Sequence, residues 1–260
     1  MTGTESRAAG RPDGEPGRRC CPVVELRQYT LHPGKRDLLI ELFERHFIES
    51  QESLGIRLIG QFRDLDSPDR FVWLRGFRDM DTRAAALESF YGGPAWKAHR
   101  EEANATMVDS DNVLLLHPAV PGSGFALDGL TRPALGAAAT ADGNLVASIW
   151  HFGAPVTTAC VDFFQNTVAP AVTEAGGAVL AYFATEHSPN TFPRLPVREG
   201  ENVFVWFAKV AGAAAQRGHA APFERSTSWQ RTIGPELARR LARPAELLRL
   251  APTARSLLRA

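Results

Sequence analysis

The chain states one pattern twice. Phe71-Val72-Trp73-Leu74-Arg75-Gly76-Phe77 returns as Phe204-Val205-Trp206-Phe207-Ala208-Lys209-Val210. Each copy follows a strand–helix–strand stretch, and each precedes a helical stretch with a second tryptophan, Trp96 or Trp229. A repeat of this size argues against a solenoid, whose units run to about 20–50 residues. It argues for two similar domains packed together, and two sheets from one chain can close a barrel that usually needs two chains.

At 260 residues and 44% hydrophobic, the chain has material for one large domain or two ordinary ones. Lys plus Arg equals Asp plus Glu at 29 each, so no net field draws it to nucleic acid or an anionic membrane, and neither is an expected partner. Its apolar runs, such as 113–116, are too short to span a bilayer. Residues 1–22 are rich in Gly, Pro and Arg, lack the apolar segment of a secretory signal, and read as a disordered tail. Cys20 and Cys21 are adjacent, and Cys160 sits alone in an apolar helical pattern. The odd count without spacing suggests reduced thiols, a buried structural Cys160 and a cytoplasmic protein.

Residues 23–30 alternate as a strand closed by Pro33-Gly34. Leu38, Leu39, Leu42, Phe43 and Phe47 then recur at helical spacing, and Gly55 stops that helix. Strands at 56–62 and 71–77 flank the turn formers of 64–69. Asp81 or Thr82 caps the next helix. Gly92-Gly93-Pro94 breaks it and opens another, with Trp96, Arg100, Ala103 and Met107 along one side. A strand at 113–116 completes β-α-β-β-α-β, the ferredoxin-like unit.

Residues 119–144, with Pro121-Gly122-Ser123-Gly124, read as an interdomain linker. The second copy covers 145–260, with strands at 145–152, 178–185 and 203–210. A helix spans 155–175, and helical pieces fall at 211–217, 222–232, 235–240 and 244–250. Its last strand falls near 246–252 or is missing. The connection at 186–202 is far longer than its counterpart and contains three prolines, the mark of a functional or mobile loop.

The expected fold class is therefore α+β: two tandem ferredoxin-like domains, the first at 23–118, in an intrachain barrel-like assembly. In the first copy Val24, Leu26, Val72 and Leu74 point one way. Glu25, Arg27, Tyr29, Phe71, Trp73, Arg75 and Phe77 point the other. In the second copy Phe204 and Trp206 stand against Val203, Val205 and Phe207. Both faces carry large apolar groups, so two such sheets should face each other and bury their free faces.

Four segments resemble the NIPSNAP family in order: Glu25-Leu26-Arg27-Gln28-Tyr29-Thr30-Leu31-His32-Pro33-Gly34-Lys35, Arg70 through Phe77, Phe90-Tyr91-Gly92-Gly93-Pro94-Ala95-Trp96-Lys97 and Asp109 through Leu115. The resemblance covers 23–118 and implies a dimeric α/β-barrel fold, made here by one chain as a pseudo-twofold monomer. Whether two such chains associate further stays open. The wider superfamily includes cofactor-free monooxygenases, polyketide cyclases, muconolactone-type isomerases and haem proteins. Mitochondrial and vesicle roles of eukaryotic relatives are not carried over, because no targeting segment is visible. The Ala-, Arg- and Gly-rich composition suggests a bacterial source. The second copy is degenerate: Arg27 falls opposite Ile149, Arg75 opposite Ala208, and His151 takes the place of Tyr29.

The chain has no phosphate-cradling glycine loop, no G-x-S-x-G and no H-E-x-x-H. Asp109-Ser110-Asp111-Asn112 lacks the glycine and glutamate a calcium loop needs and reads as a turn, so no metal site is expected. Glu25, Arg27, Tyr29 and Arg75 share a face with Trp73. Two arginines there can bind a carboxylate or enolate, with Tyr29 passing a proton. The same residues can equally form a structural ion pair under an aromatic lid. His99 shares a helix side with Trp96, and His46 sits beside Phe47. Either, or His151, could be a general base or a haem ligand, and each could equally be an ordinary structural histidine. His187 and His219 lie in loop-like stretches and could line a pocket mouth.

The first reading is a small-molecule enzyme without metal or organic cofactor. It would cyclise, isomerise or oxygenate an apolar or aromatic metabolite in a pocket between sheet and helices. Tyr29, Arg75, His99 and His151 are its candidate catalytic residues, and Glu25, Arg27, Trp73, Trp96 and Trp206 its candidate binding residues. The alternatives are a non-catalytic ligand- or haem-binding protein, and a scaffold using the 186–202 loop as its contact surface.

Overall fold

The computed structural model describes residues 20–138, 143–210 and 221–259. The first half runs β1 (Val23–Leu31), α1 (Arg36–Leu42), a π turn (Phe43–Phe47), α2 (Ile48–Glu52), β2 (Arg57–Asp64), β3 (Arg70–Phe77), α3 (Met80–Gly92), α4 (Pro94–Asn104) and β4 (Met107–Pro118). The second half runs β5 (Asn144–His151), α5 (Thr158–Phe163), a π turn (Phe164–Val168), α6 (Ala169–Glu174), β6 (Ala178–Thr185) and β7 (Val203–Val210). It ends with a 3₁₀ turn (Pro222–Arg225), a π turn (Trp229–Ile233), α7 (Gly234–Arg240) and β8 (Arg243–Pro252). The first helical run of each half thus carries a π turn after its first helix. Gly55 and Gly176, at positive φ of 80° each, end those runs before β2 and β6.

The strands close into one eight-stranded barrel, ordered β1-β3-β2-β8-β5-β7-β6-β4. The halves meet along two antiparallel seams. Phe62, Arg63 and Asp64 of β2 pair with Pro252, Ala251 and Leu250 of β8. Leu116, His117 and Pro118 of β4 pair with Thr185, Ala184 and Phe183 of β6. Alternation places Val24, Leu26, Val72 and Leu74 inside the barrel, facing Leu145, Ala147, Val205 and Phe207 in one apolar core. The opposite faces carry Tyr29, Phe71 and Trp73 under the first set of helices, and Trp150, Phe204 and Trp206 under the second. A mixed α/β barrel with helices outside and no open sheet edge follows directly.

The segment between the halves is packed against them. Phe125 enters the barrel and meets Phe183 and Phe207 at ring separations of 5.2 and 5.1 Å. Arg132 donates to Glu52 Oε1 and to the carbonyls of Leu58 and Arg255, each at 2.6 Å.

Several local expectations are corrected. Asp79, not Asp81 or Thr82, caps α3: its carboxylate accepts the Thr82 N–H at 2.7 Å, while Thr82 Oγ1 accepts the Asp79 N–H at 3.1 Å. Met107 begins β4 instead of extending α4, and the Asp109–Asn112 stretch lies in that strand, where the register with β1 shifts. Residues 244–250, expected as a helix, belong to β8. Pairing on both sides overrides the helical spacing, and Pro244 lies where the β5 register breaks, so no ladder donor is missed. Residues 222–232 are a helical piece as expected, split into a 3₁₀ turn and a π turn. Cys20 and Cys21 are joined as a disulfide and pack against the barrel core, so the tail reading fails at this end and the reduced-thiol reading fails for this pair. Cys160 is free and buried. The remainder of the expected tail at 1–19, the helical piece at 211–217 and His219 lie outside the described residues.

Candidate functional site

The polar face of β1 and β3 builds one charged cluster. Antiparallel register sets Glu25 opposite Arg75, Arg27 opposite Trp73 and Tyr29 opposite Phe71. Glu25 Oε2 accepts from Arg27 Nη1 and Arg75 Nε, both at 2.7 Å, and Oε1 accepts from Arg83 Nε at 2.7 Å. Arg83 comes from α3. Arg27 Nε donates to Tyr29 Oη at 3.0 Å, and Arg75 Nη1 donates to Gln51 Oε1 at 3.2 Å. Trp73 lies between two guanidiniums, with Arg27 at 5.4 Å and Arg75 at 5.0 Å from its ring centre.

All four charged side chains are fully buried, at 0% exposure. Burial alone would raise the Glu25 carboxyl, but Arg75, Arg27 and Arg83 outweigh it and hold the group far below the ordinary carboxylate range. Burial raises Tyr29 above the ordinary phenol, although Arg27 opposes this, so its O–H is a donor near neutral pH and not a base. Burial lowers Arg83, with Glu25 opposing. One carboxylate thus faces three guanidiniums. Among the described residues each guanidinium retains one buried Nη2 without a hydrogen-bond partner, and Trp73 Nε1 has none either. Unsatisfied buried donors on charged groups are costly.

The second half offers an internal comparison. Trp206 pairs with Ser148, as Trp73 pairs with Arg27. The registers therefore match Glu25 with Val146, Arg27 with Ser148, Tyr29 with Trp150 and Arg75 with Ala208. The expected equivalences of Arg27 with Ile149 and of Tyr29 with His151 were one residue out, which in a strand turns each side chain to the other face. At these positions the second half packs with apolar groups and one serine.

The other expected site residues lie elsewhere. His99 stacks on His46 at 3.7 Å and meets Phe47 edge-on, while Trp96 packs on Phe47, Phe90 and Tyr91. His151 ends β5 with both ring nitrogens engaged. Arg243 Nη2 lies 2.9 Å from Nδ1, and Glu246 Oε1 lies 2.9 Å from Nε2. Trp206 is buried among Trp150, Phe164 and Phe223. Near it, a cavity of about 480 Å³ between β8 and the turns before it is walled by Phe223, Trp229, Leu237 and Leu247. His187 lines a broader cleft of about 850 Å³ with His117, Glu186 and the Cys20–Cys21 pair. Among the described residues no group of His, Cys, Asp and Glu could hold a metal ion, and no helix is long and apolar enough to cross a membrane.

The segment that carries the charged cluster is also the one that resembles a known family. Residues 24–120 match the model of the NIPSNAP family. No curated protein matches the chain. An anthrone oxidase-like protein shares the fold, with a TM-score of 0.51, 15% identity, and coverage of 90% of this chain and 93% of its own. A proposed monooxygenase from Lactobacillus acidophilus NCFM aligns over 91% of this chain and 98% of its own, at 16% identity and TM-score 0.47. A NIPSNAP-like domain protein from Burkholderia xenovorans aligns over 38% of this chain and 86% of its own, at 29% identity and TM-score 0.35. The whole chain is thus a mixed α/β barrel, and the segment matched by the NIPSNAP model makes up one half of it.

Sequence reasoning missed Arg83, Gln51, Asn190 and Thr191. Arg83 carried a signal: it falls on the stripe Arg83, Ala86, Leu87 and Phe90, the buried face of α3. An arginine on a core stripe implies a buried acceptor.

Proposed function

We propose that the NIPSNAP domain binds a small organic anion, a carboxylate or enolate of an apolar or aromatic metabolite, on Arg27, Arg75 and Arg83. One observation carries this reading: three fully buried guanidiniums share a single carboxylate, and each keeps an unpartnered Nη2. A structural ion pair needs matched charge, because surplus buried charge destabilises the fold. The second half supports the same conclusion, since Val146, Ser148 and Ala208 fill the equivalent positions and leave them without charge. Trp73, Phe77 and Tyr29 supply aromatic walls beside the guanidiniums.

Holding a developing oxyanion on fixed cations is what cofactor-independent isomerisation, cyclisation and oxygenation share. In such a reaction the three arginines would stabilise the enolate and Tyr29 would donate the proton. We read the chain as two tandem ferredoxin-like halves closing a barrel without a second subunit. The test is calorimetric melting of wild type and Arg75→Gln with benzoate, hydroxybenzoates and aliphatic carboxylates. A ligand at 100 times its Kd should add about 2.7 kcal/mol to wild type and little to the variant. Equal shifts in both proteins, or none in wild type across the series, would remove the assignment.

A further inference from the structure

We propose that the turn around Asn190–Leu195, carried by the second half, is the gate and outer wall of the arginine site, and that the bound anion displaces Asn190 and Thr191 from Arg83. The inference rests on the anion reading above and adds its entry route and two specificity-determining residues. Arg83 Nη1 donates to Asn190 Oδ1 at 3.0 Å and to Thr191 Oγ1 at 3.1 Å. Both acceptors are neutral, and both come from the connection between β6 and β7. They satisfy the Arg83 edge that Glu25 does not reach, and an anionic oxygen is a stronger acceptor for the same donor.

The length of this connection has a use. β2 and β3 are joined by residues 65–69, whereas β6 and β7 are joined by residues 186–202. The added chain crosses to the other half and settles on α3. Phe192 is buried there, stacked on Tyr91 at 5.7 Å, and Thr191 Oγ1 donates to the Met80 carbonyl at 3.1 Å. The turn is also ordered within itself. Asn190 Nδ2 donates to the Leu195 carbonyl at 3.0 Å, Asn190 Oδ1 accepts the Phe192 N–H at 3.0 Å, and the Asn190 N–H donates to Glu199 at 2.8 Å. At the rim Arg194 pairs with Glu88 at 2.7 Å, an exposed contact that contributes little. The turn is therefore a preformed body held to α3 by the Phe192 ring, the Arg83 bonds, the Thr191–Met80 bond and the rim pair. A body so attached can swing away without unfolding either half.

The experiment labels the folded full-length protein with phenylglyoxal, which modifies accessible guanidines, and reads each arginine by peptide mass spectrometry. Phe192→Ala and, separately, the double variant Asn190→Ala/Thr191→Val are compared with wild type. Arg255, buried away from the turn, monitors global unfolding. The expected result is that Arg83 labels at least 10-fold faster in both variants while Arg255 does not change. Benzoate should slow Arg83 labelling in wild type, and more strongly in the double variant, where its competitors are gone. Unchanged Arg83 labelling in both variants overturns the gate, as does a parallel rise at Arg255. Faster labelling without benzoate protection in any protein would leave the gate standing and sink the anion site instead.

Discussion

Arg83 Nε on α3 donates to Glu25 Oε1 on β1 across 2.7 Å, joining residues 58 positions apart in the fully buried interior. This bond brings a third cation onto Glu25, beside Arg27 and Arg75. Replacing Glu25 with Gln leaves three buried guanidiniums without a counter-charge. Breaking a buried pair from one side costs about 3–5 kcal/mol, and the surplus charge places Glu25→Gln at the upper end. Urea unfolding measures this, and a loss under about 1 kcal/mol would mean that the arginines find other partners.

Removing one cation should cost far less than removing the anion. Arg83→Gln lowers the surplus positive charge while its amide can still donate to Glu25. We expect a change within about 1 kcal/mol of wild type, of either sign, because relief of like-charge repulsion offsets the lost bond. The same variant should lose the melting-temperature gain that carboxylates give wild type. Stability kept while binding is lost would be the signature of residues retained for a ligand.

The pH dependence has a definite sign. The folded-state pKa of Glu25 lies below its unfolded value, because the three arginines outweigh burial. Its contribution is therefore fully present above the unfolded value of about 4.3 and is lost as pH falls from there toward the folded value. Unfolding free energies measured from pH 5 down to pH 2.5 should fall more steeply in wild type than in Glu25→Gln. Parallel curves would show that Glu25 is not held by the cluster.

Trp73 and Trp206 occupy matched positions in the two halves and are both buried. Trp73→Ala and Trp206→Ala should each cost about 3–5 kcal/mol. They should differ in binding. Trp73 touches two of the arginines, whereas the ring contacts of Trp206 are with Trp150, Phe164 and Phe223. Carboxylate affinity should fall in Trp73→Ala alone, as read by calorimetry under conditions where both variants remain folded.

The barrel was legible because strand alternation is strict. Val24, Leu26, Val72 and Leu74 on one face, and Glu25, Arg27, Trp73 and Arg75 on the other, follow from period two alone, and they place the charges under the helices. β8 was only half legible, read as a helix at 244–250 and as a strand near 246–252, of which the strand is found. Pro244 through Leu250 has helical spacing, and only pairing with β5 and β2 makes it a strand. Arg83 was readable in principle from the α3 stripe. Asn190 and Thr191 were not, because their contact with Arg83 spans more than a hundred positions and depends on how the two halves close. The expected equivalence of His151 with Tyr29 failed by one residue, the smallest error that reverses a strand face.

The cysteines provide a test that separates the tail from the core. Cys20 and Cys21 are joined to each other, and Cys21 Sγ lies where a side chain on Gly76 would begin. Burial pushes the Cys160 thiol up to about 11, with Arg240 pulling the other way. At pH 8 that thiol carries little thiolate and is shielded besides, so it should react slowly. Iodoacetamide on the native, unreduced protein should therefore label almost nothing. Mild reduction should expose Cys20 and Cys21 together, and Cys160 should follow only on denaturation. Labelling of the adjacent pair without reductant would show free thiols at the barrel end, and native labelling of Cys160 would show that α5 does not shield it.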